Sequence, residues 1–316
     1  MFRIMFQALP NAIFCAAVLC AGAALPAMAS SFTFSTIDFP GATTTQAAAV
    51  NDSGQLVGSY TSGGVTHGYL LSGGVFTTID FPSSTFTMAE DIDNGGQVVG
   101  YYTAGGVNDG FLLSGGVFTT IDFPGSTLTD AIGIDNSGQV TGDYTSSTVD
   151  DAFLLSGGTY TTIDVPGSDS TSAEEIDDSG QVVGYYTSGG ETHGYLLSGG
   201  VFTTIDFPGS TFTRALGIND SGQIAGSYMI GGVTHGFLLS GGIYTTIDFP
   251  GSTSTAAHGL DDSGQVAGNY QSGGAGFGFL ATPSPEPGAL ASTIGAFSII
   301  AAWSWRRRRM PGSKRP

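Results

Sequence analysis

Cysteine, tryptophan and lysine are missing from the whole stretch between residues 30 and 284, and arginine occurs there once, as Arg214. Both cysteines, Cys15 and Cys20, lie close to the N-terminus. Without thiols the long central stretch can form neither a disulfide nor a thiolate metal site, so packing and backbone pairing must hold it together. Without cations it offers nothing to a phosphate backbone. Nearly all of the 26 acidic residues lie in it, which excludes nucleic acid and anionic membrane surfaces as partners and leaves cations, basic partners or neutral glycans. No Gly-x-Ser-x-Gly elbow and no phosphate loop is present, because each glycine-rich run recurs as a turn. Apolar residues never repeat at helical spacing over a sustained window in this stretch.

The ends have a different composition. Arg3, an apolar run from Ala12 to Leu25 and small residues at Ala27 and Ala29 read as a secretory signal peptide over residues 1–29. Leu19 is too large for a lipoprotein processing site at Cys20. At the other end, a linker over 282–287 carries Pro285, Glu286 and Pro287, and an uncharged, mostly apolar run follows from Gly288 to Trp305. At 1.5 Å per residue it reaches about 27 Å, enough for a membrane-spanning helix. Trp303 and Trp305 suit its interface, and Arg306, Arg307, Arg308 and Arg309 open a basic cytoplasmic tail over 306–316.

The Pro-Glu-Pro motif, single span and arginine cluster resemble a PEP-CTERM sorting signal. The resemblance implies recognition by an exosortase, cleavage near the motif, and release to the cell surface or beyond after transient anchoring in the cytoplasmic membrane. It also implies a Gram-negative bacterium with an exopolysaccharide-producing envelope. The "MPGSKRP" tail beyond the arginines departs from that pattern and bears on the processing step.

Between the ends the chain repeats itself every 42 residues. The Asp of Ile-Asp-Phe/Val-Pro stands at 38, 80, 122, 164, 206 and 248, and an alanine at 47, 89, 131, 173, 215 and 257, without insertion or deletion. Each unit holds four short runs of β-branched and aromatic residues, separated by Asn/Asp-Ser-Gly, Gly-Gly and Pro-Gly turns. Four antiparallel strands in 42 residues is the size of one β-propeller blade. The stretch after the signal opens on a fourth strand, "SFTFSTIDFP", and the last unit stops after its third, "FGFLATP". These complementary fragments predict an all-β, six-bladed propeller over residues 30–281 whose ring is closed by the N-terminal strand. The alternative is an open β-solenoid. The register alanine falls on the first, innermost strand, where six blades converge.

The repeats resemble the HAF family of extracellular repeats, through His67-Gly68-Tyr69, His193-Gly194-Tyr195 and His235-Gly236-Phe237 and the Gly-Gln and Ser-Gly-Gly signatures. Asp109-Gly110-Phe111, Asp151-Ala152-Phe153 and Phe277-Gly278-Phe279 depart from it. The resemblance implies a secreted or surface protein and no settled enzymatic activity.

The candidate sites follow from these patterns. The Asn/Asp-Ser-Gly turns invite Ca²⁺, but a four-residue hairpin supplies too few oxygens for a calcium loop, and a tight turn needs the same residues. The aspartates before Phe/Val-Pro read as turn acceptors of backbone N–H groups. The three histidines stand on separate third strands, where packing or hydrogen bonding is expected, and no cofactor is expected. The repeats disagree on their first strands, where Glu90, Asp91, Glu174, Glu175, Arg214 and His258 could meet across an axial funnel. The reading is a non-enzymatic binding or structural protein of an exopolysaccharide or biofilm matrix, with polysaccharide or other surface proteins as partners. Its ligand would be held by the deviating residues or by many weak copies of the repeated ones. The alternative is a hydrolase or lyase using the axial acids on a glycan.

Sorting is tested on the surface-extracted protein. Its intact mass should lack everything after about Pro287; retention of Arg306 to Arg309 on that protein overturns the sorting reading.

Overall fold

A computed structural model of the chain describes residues 31–146 and 150–284. The signal segment, Pro285 to Pro287, the apolar run and the arginine tail lie outside the described residues. Among those described, no helix is long and apolar enough to cross a membrane.

Each repeat lays down one antiparallel sheet. In the first, the strands are Thr44–Val50, Leu56–Ser62, Val65–Ser72 and Val75–Ile79. The two-residue hairpins between the later strands need positive φ at both central positions. Gly63-Gly64 supplies it at 61° and 82° and Gly73-Gly74 at 57° and 80°. Five sheets run in chain order from first to fourth strand; in the sixth, Phe32–Ile37 pairs with Ala275–Pro283. The register runs from Phe32 opposite Pro283 to Ile37 opposite Gly278. The result is a six-bladed β-propeller in which the earliest strand completes the last blade, which rules out the open solenoid.

The first strands form the innermost ring: Thr44–Val50, Phe86–Ile92, Leu128–Ile134, Ser170–Ile176, Thr213–Ile218 and Ser254–Leu260. Each touches the first strand of both neighbours, the sixth touching the first. All six register alanines are fully buried there. They face a small residue on the third strand of the preceding blade. A Cβ on Gly68 would come within 3.4 Å of the Ala89 Cβ, and one on Gly110 within 3.0 Å of the Ala131 Cβ. Small side chains are therefore needed on both sides of every seam.

Farther from the axis aromatics fill the widening wedge. The Phe before each Pro stacks face to face on a Tyr of the next blade: Phe39 on Tyr60, Phe81 on Tyr102, Phe123 on Tyr144, Phe207 on Tyr228 and Phe249 on Tyr270, at 3.5–3.7 Å between centroids. The seam between blades 3 and 4 is the exception. Val165 replaces Phe, Ala152 replaces the third-strand Gly, and Tyr186 keeps only His193 as a ring neighbour, at 5.2 Å.

That seam yields a stability prediction. Val165→Phe should restore the stack on Tyr186 and raise stability by about 1 kcal/mol. Thermal unfolding measures it, and an unchanged or lowered midpoint would show that Ala152 leaves no room for the ring.

Candidate functional site at the propeller axis

The inner strands share one irregularity that builds the site. Five of them carry a register shift between the alanine and the second residue after it, as at Ala89/Asp91 and Ala173/Glu175, and the sixth has one between Ala257 and Leu260. The bulged residue is left without a partner on its own sheet and is re-aimed. At the bulge stand Ala48, Glu90, Ile132, Glu174, Leu216 and His258. The next register is Ala49, Asp91, Gly133, Glu175, Gly217 and Gly259. Here the ring is tight, since a Cβ on Gly133 would lie 2.8 Å from the Glu175 Cα and one on Gly259 2.8 Å from the Ala49 Cα.

All six residues singled out from the sequence therefore lie around one axis. Asp91 and Glu175 form a carboxyl pair at the waist. Asp91 accepts N–H bonds from Ile92 and, on the next blade, Ile134, both at 2.7 Å. Burial pushes both carboxyls up, Glu175 the farther because the Asp91 charge adds to it. The two N–H donors hold the charge on Asp91, so Glu175 keeps the proton and donates it to Asp91.

Above the waist lies a second group. Burial raises Glu90 to about 8, helped by the nearby charges of Glu174, Asp130 and Asp91. Glu174 accepts from the Ser172 hydroxyl at 2.9 Å and is pulled back by the positive charge of Arg214. Arg214 lies over the faces of Tyr185 at 4.3 Å and Phe212 at 4.8 Å, and its Nε has no hydrogen-bond partner among the described residues. His258 is pushed down to about 4 by burial and by Arg214, so it is neutral, and it meets the Asn269 amide at 3.2 Å.

Four members of the site escaped the sequence reading: Asp130, Asp143, Tyr101 and Tyr185. Burial raises Asp130 to about 6 and holds Asp143 well above its ordinary value. Asp143 accepts from the Ala173 N–H at 3.0 Å across the seam and shares with Glu174 the one proton of the Ser172 hydroxyl, 2.7 Å away. For Tyr101, Asp143 and Tyr185 the signal was present on the second strands, where the residue after the shared Gly reads Ser59, Tyr101, Asp143, Tyr185, Ser227 and Asn269. Asp130 stands on a first strand, as a departure at the position of Gln46, Met88, Ser172, Arg214 and Ala256.

The opposite end of the axis is ringed by hydrogen bonds around a cavity that reaches Asp91 and Glu175. The Asp52 N–H donates to the Asn94 side chain, Asn94 to Asn136, Asn136 to Asp178, Asp178 to Asp220, Asp220 to Asp262 and Asp262 back to Asp52, all at 2.8–3.0 Å. Each turn side chain is thus spent on its neighbour's backbone. Among the described residues, no group of three or more His, Cys, Asp or Glu is placed to hold a metal ion.

The repeated residues are satisfied within their own blades. His67 shares its Nδ1 with Asp80 at 2.9 Å, His193 with Asp206 at 3.0 Å and His235 with Asp248 at 2.9 Å. Where the histidine is missing, Asp122 and Asp164 accept from the Ser126 and Ser168 hydroxyls instead. These aspartates therefore find side-chain donors, not the backbone N–H groups expected from the turn; the turn N–H is taken by a threonine, as in Phe81 to Thr87 at 3.1 Å.

No family model and no curated protein matches the chain. Solved propellers do. A catalytically inactive virginiamycin B lyase from Staphylococcus aureus, solved with quinupristin, is 12% identical with a TM-score of 0.50, over 79% of this chain and 99% of that one. TolB from Acinetobacter baumannii is 13% identical with a TM-score of 0.50, over 73% of this chain and 63% of that one. At such identities the likeness shows the fold alone.

The raised carboxyls give stability an unusual pH dependence. A carboxyl whose value is higher folded than unfolded makes the fold hold extra protons, so stability falls as pH rises from the unfolded value, 4.5 for Glu90, to the folded one of about 8. His258 acts oppositely, costing stability only as pH drops below its ordinary 6.5. From pH 6.5 to about 8.5 the carboxyls act alone, and the melting temperature should fall, less steeply in Glu90→Gln. A melting temperature that climbs across this interval would show that the axial carboxyls are ionised in the fold.

Proposed function

We propose that this protein is an exported, surface-sorted propeller that binds an extracellular glycan at the funnel on its axis, without carrying out chemistry on it. One observation supports the reading above others. A chain that otherwise repeats a 42-residue unit concentrates on its axis the charged departures Glu90, Asp91, Asp130, Asp143, Glu174, Glu175 and Arg214. Burying charge without full pairing costs several kcal/mol, roughly, and six identical blades would not need it. Structural economy would place uncharged residues there, as sister blades do with Ala48, Ile132 and Leu216 at the bulge and Ala49, Gly133 and Gly217 after it. The aromatic faces of Tyr101 and Tyr185 beside these polar groups suit a sugar ring, which offers an apolar face and a rim of hydroxyls.

The repeated His–Asp pairs support the avidity alternative less well, because each is already engaged within its blade. The surface location draws on the signal-like N-terminus and the Pro-Glu-Pro segment, both outside the described residues. A setting in the exopolysaccharide layer, with an exosortase as processing partner, belongs to the same proposal.

A second reading has its own support. Glu90 holds its proton near neutrality beside carboxyls that lose theirs earlier, which is the division of labour that glycan hydrolysis or elimination needs. Turnover assays run beside binding assays on the same sugars separate the two.

The test replaces Glu90, Asp91, Glu174 and Glu175 together by the Ala or Gly of sister blades. Glycan-array binding should vanish while the melting temperature holds or rises as like charges are removed. Alanine at His67, His193 and His235 should leave binding intact. The reverse pattern would return the function to the repeated surface.

A further inference from the structure

The funnel is not uniformly acidic. Blades 2, 3 and 4 carry Glu90, Asp91, Asp130, Asp143, Glu174 and Glu175, whereas blades 5, 6 and 1 answer with Arg214, His258 and Gln46 at the corresponding positions. One wall is therefore anionic and the other carries the single guanidinium and neutral donors.

Within the anionic wall Glu90 stands apart. Asp91 has its two N–H donors and Glu175, Asp143 has the Ala173 N–H, and Asp143 and Glu174 share the single proton of the Ser172 hydroxyl. Glu90 stands half-buried at a bulge, with Glu174 and Asp130 of the following blades and its chain neighbour Asp91 close by, and makes no hydrogen bond to any described residue. Asp130 also leaves its Oδ1 buried and unpartnered. Asp130 has Asn108 for its other oxygen, and Glu174 has Ser172 and the charge of Arg214, so Glu90 and one oxygen of Asp130 are the acceptors left without a donor.

A bare metal ion is a poor fit, because no three such groups come close enough to share one. A larger cation that reaches outward through several N–H donors meets the spacing better. The aromatic lining favours the same charge: Tyr185 already holds the Arg214 guanidinium against its face, and Tyr101 lies beside Glu90, Asp130 and Glu174.

We propose that the Glu90, Asp130 and Glu174 wall of the axial funnel receives a primary ammonium group, so that the ligand is an amine-bearing sugar, held by its ammonium on this wall and by its ring against Tyr101. This rests on the reading of the funnel as the binding site. Binding then requires Glu90 to give up its proton, and the ammonium supplies the charge that stabilises the carboxylate left behind. Burial, and then the charges of Glu174, Asp130 and Asp91, press the Glu90 proton to stay, while Arg214 acts on Glu174.

Glu90→Gln copies the protonated carboxyl in shape, so it should fold like the wild type and isolate the effect. Titration calorimetry of the processed full-length protein would compare oligomers of glucosamine, of N-acetylglucosamine and of a uronic acid, with spermidine as an amine that is not a sugar. The glucosamine oligomer should bind about tenfold or more tightly than the other sugars, and Glu90→Gln should lose most of that margin. In two buffers of different ionisation enthalpy, wild type should release more protons on binding than Glu90→Gln does.

Equal or tighter binding of the N-acetylated or uronic oligomer, still abolished by the four-residue axial variant, would overturn the ammonium assignment and leave the axial site standing. Spermidine binding as tightly as the amine sugar would overturn the sugar assignment. Binding that ignores the four-residue variant would remove the proposal together with the reading beneath it.

Discussion

Everything in this molecule depends on how closely six sheets can approach a common axis. The approach is set where a first strand meets its own second strand and the third strand of the blade before it. Gly58, Gly100, Gly142, Gly184, Gly226 and Gly268 pair with the register alanines, and a Cβ on any of them would collide with the backbone carbonyl of the residue before that alanine. The freed space is filled by an aromatic of the third strand: Tyr69, Phe111, Phe153, Tyr195, Phe237 or Phe279, all fully buried. A glycine thus lets the aromatic in, and the aromatic ties the second strand to the third. Repetition follows from geometry: each seam must solve the same packing problem at the same radius, so each unit carries the same answer.

The constraint also explains where variation is permitted. At the seams a larger residue would push blades apart, and the sequence scarcely varies there; the seam between blades 3 and 4, with Ala152 and Val165, is the clearest departure. On the axis the bulged residues meet across a lumen instead of a seam, so size and charge can differ from blade to blade at no cost to the ring. The acidic residues use that freedom. Their cost is electrostatic, and it is met by neighbours: Ile134 and Ile92 for Asp91, Ala173 and Ser172 for Asp143, Arg214 for Glu174. Glu90 and Glu175 settle the matter by keeping their protons.

The fold could be read in the sequence because a strict 42-residue period multiplies every local signal by six and the fragments at the two ends complement each other. Glu90, Asp91, Glu174, Glu175, Arg214 and His258 were legible for the same reason, as departures from a pattern. Asp143, Tyr101 and Tyr185 were not, because their importance comes from facing the next blade's inner strand, a relation between units that no single repeat displays. The circle of turn hydrogen bonds from Asp52 round to Asp262 escaped for that reason too. Each turn alone looks like an ordinary Asx turn, and its side chain's second duty appears only when the ring is closed. The Asp80–His67 pairing is a milder case: two strands of one sheet, 13 residues apart, with the pairing set by register.

The two ends of the axis divide the work between them. At the turn end, six side chains are consumed in holding adjacent blades together, and repetition there is complete because the circle closes only if every unit contributes. At the other end no circle of bonds forms. Carboxyls from blades 2, 3 and 4 gather opposite one guanidinium, and two aromatic faces flank them. A ring that needed only to close would have no reason to differ between its ends. The turn end therefore carries the cohesion of the ring, which leaves the funnel free to hold charges that oppose folding and that, under the function proposed above, serve a ligand. On that proposal stability and recognition are separated along a single axis, and the symmetry that secures one is broken to allow the other.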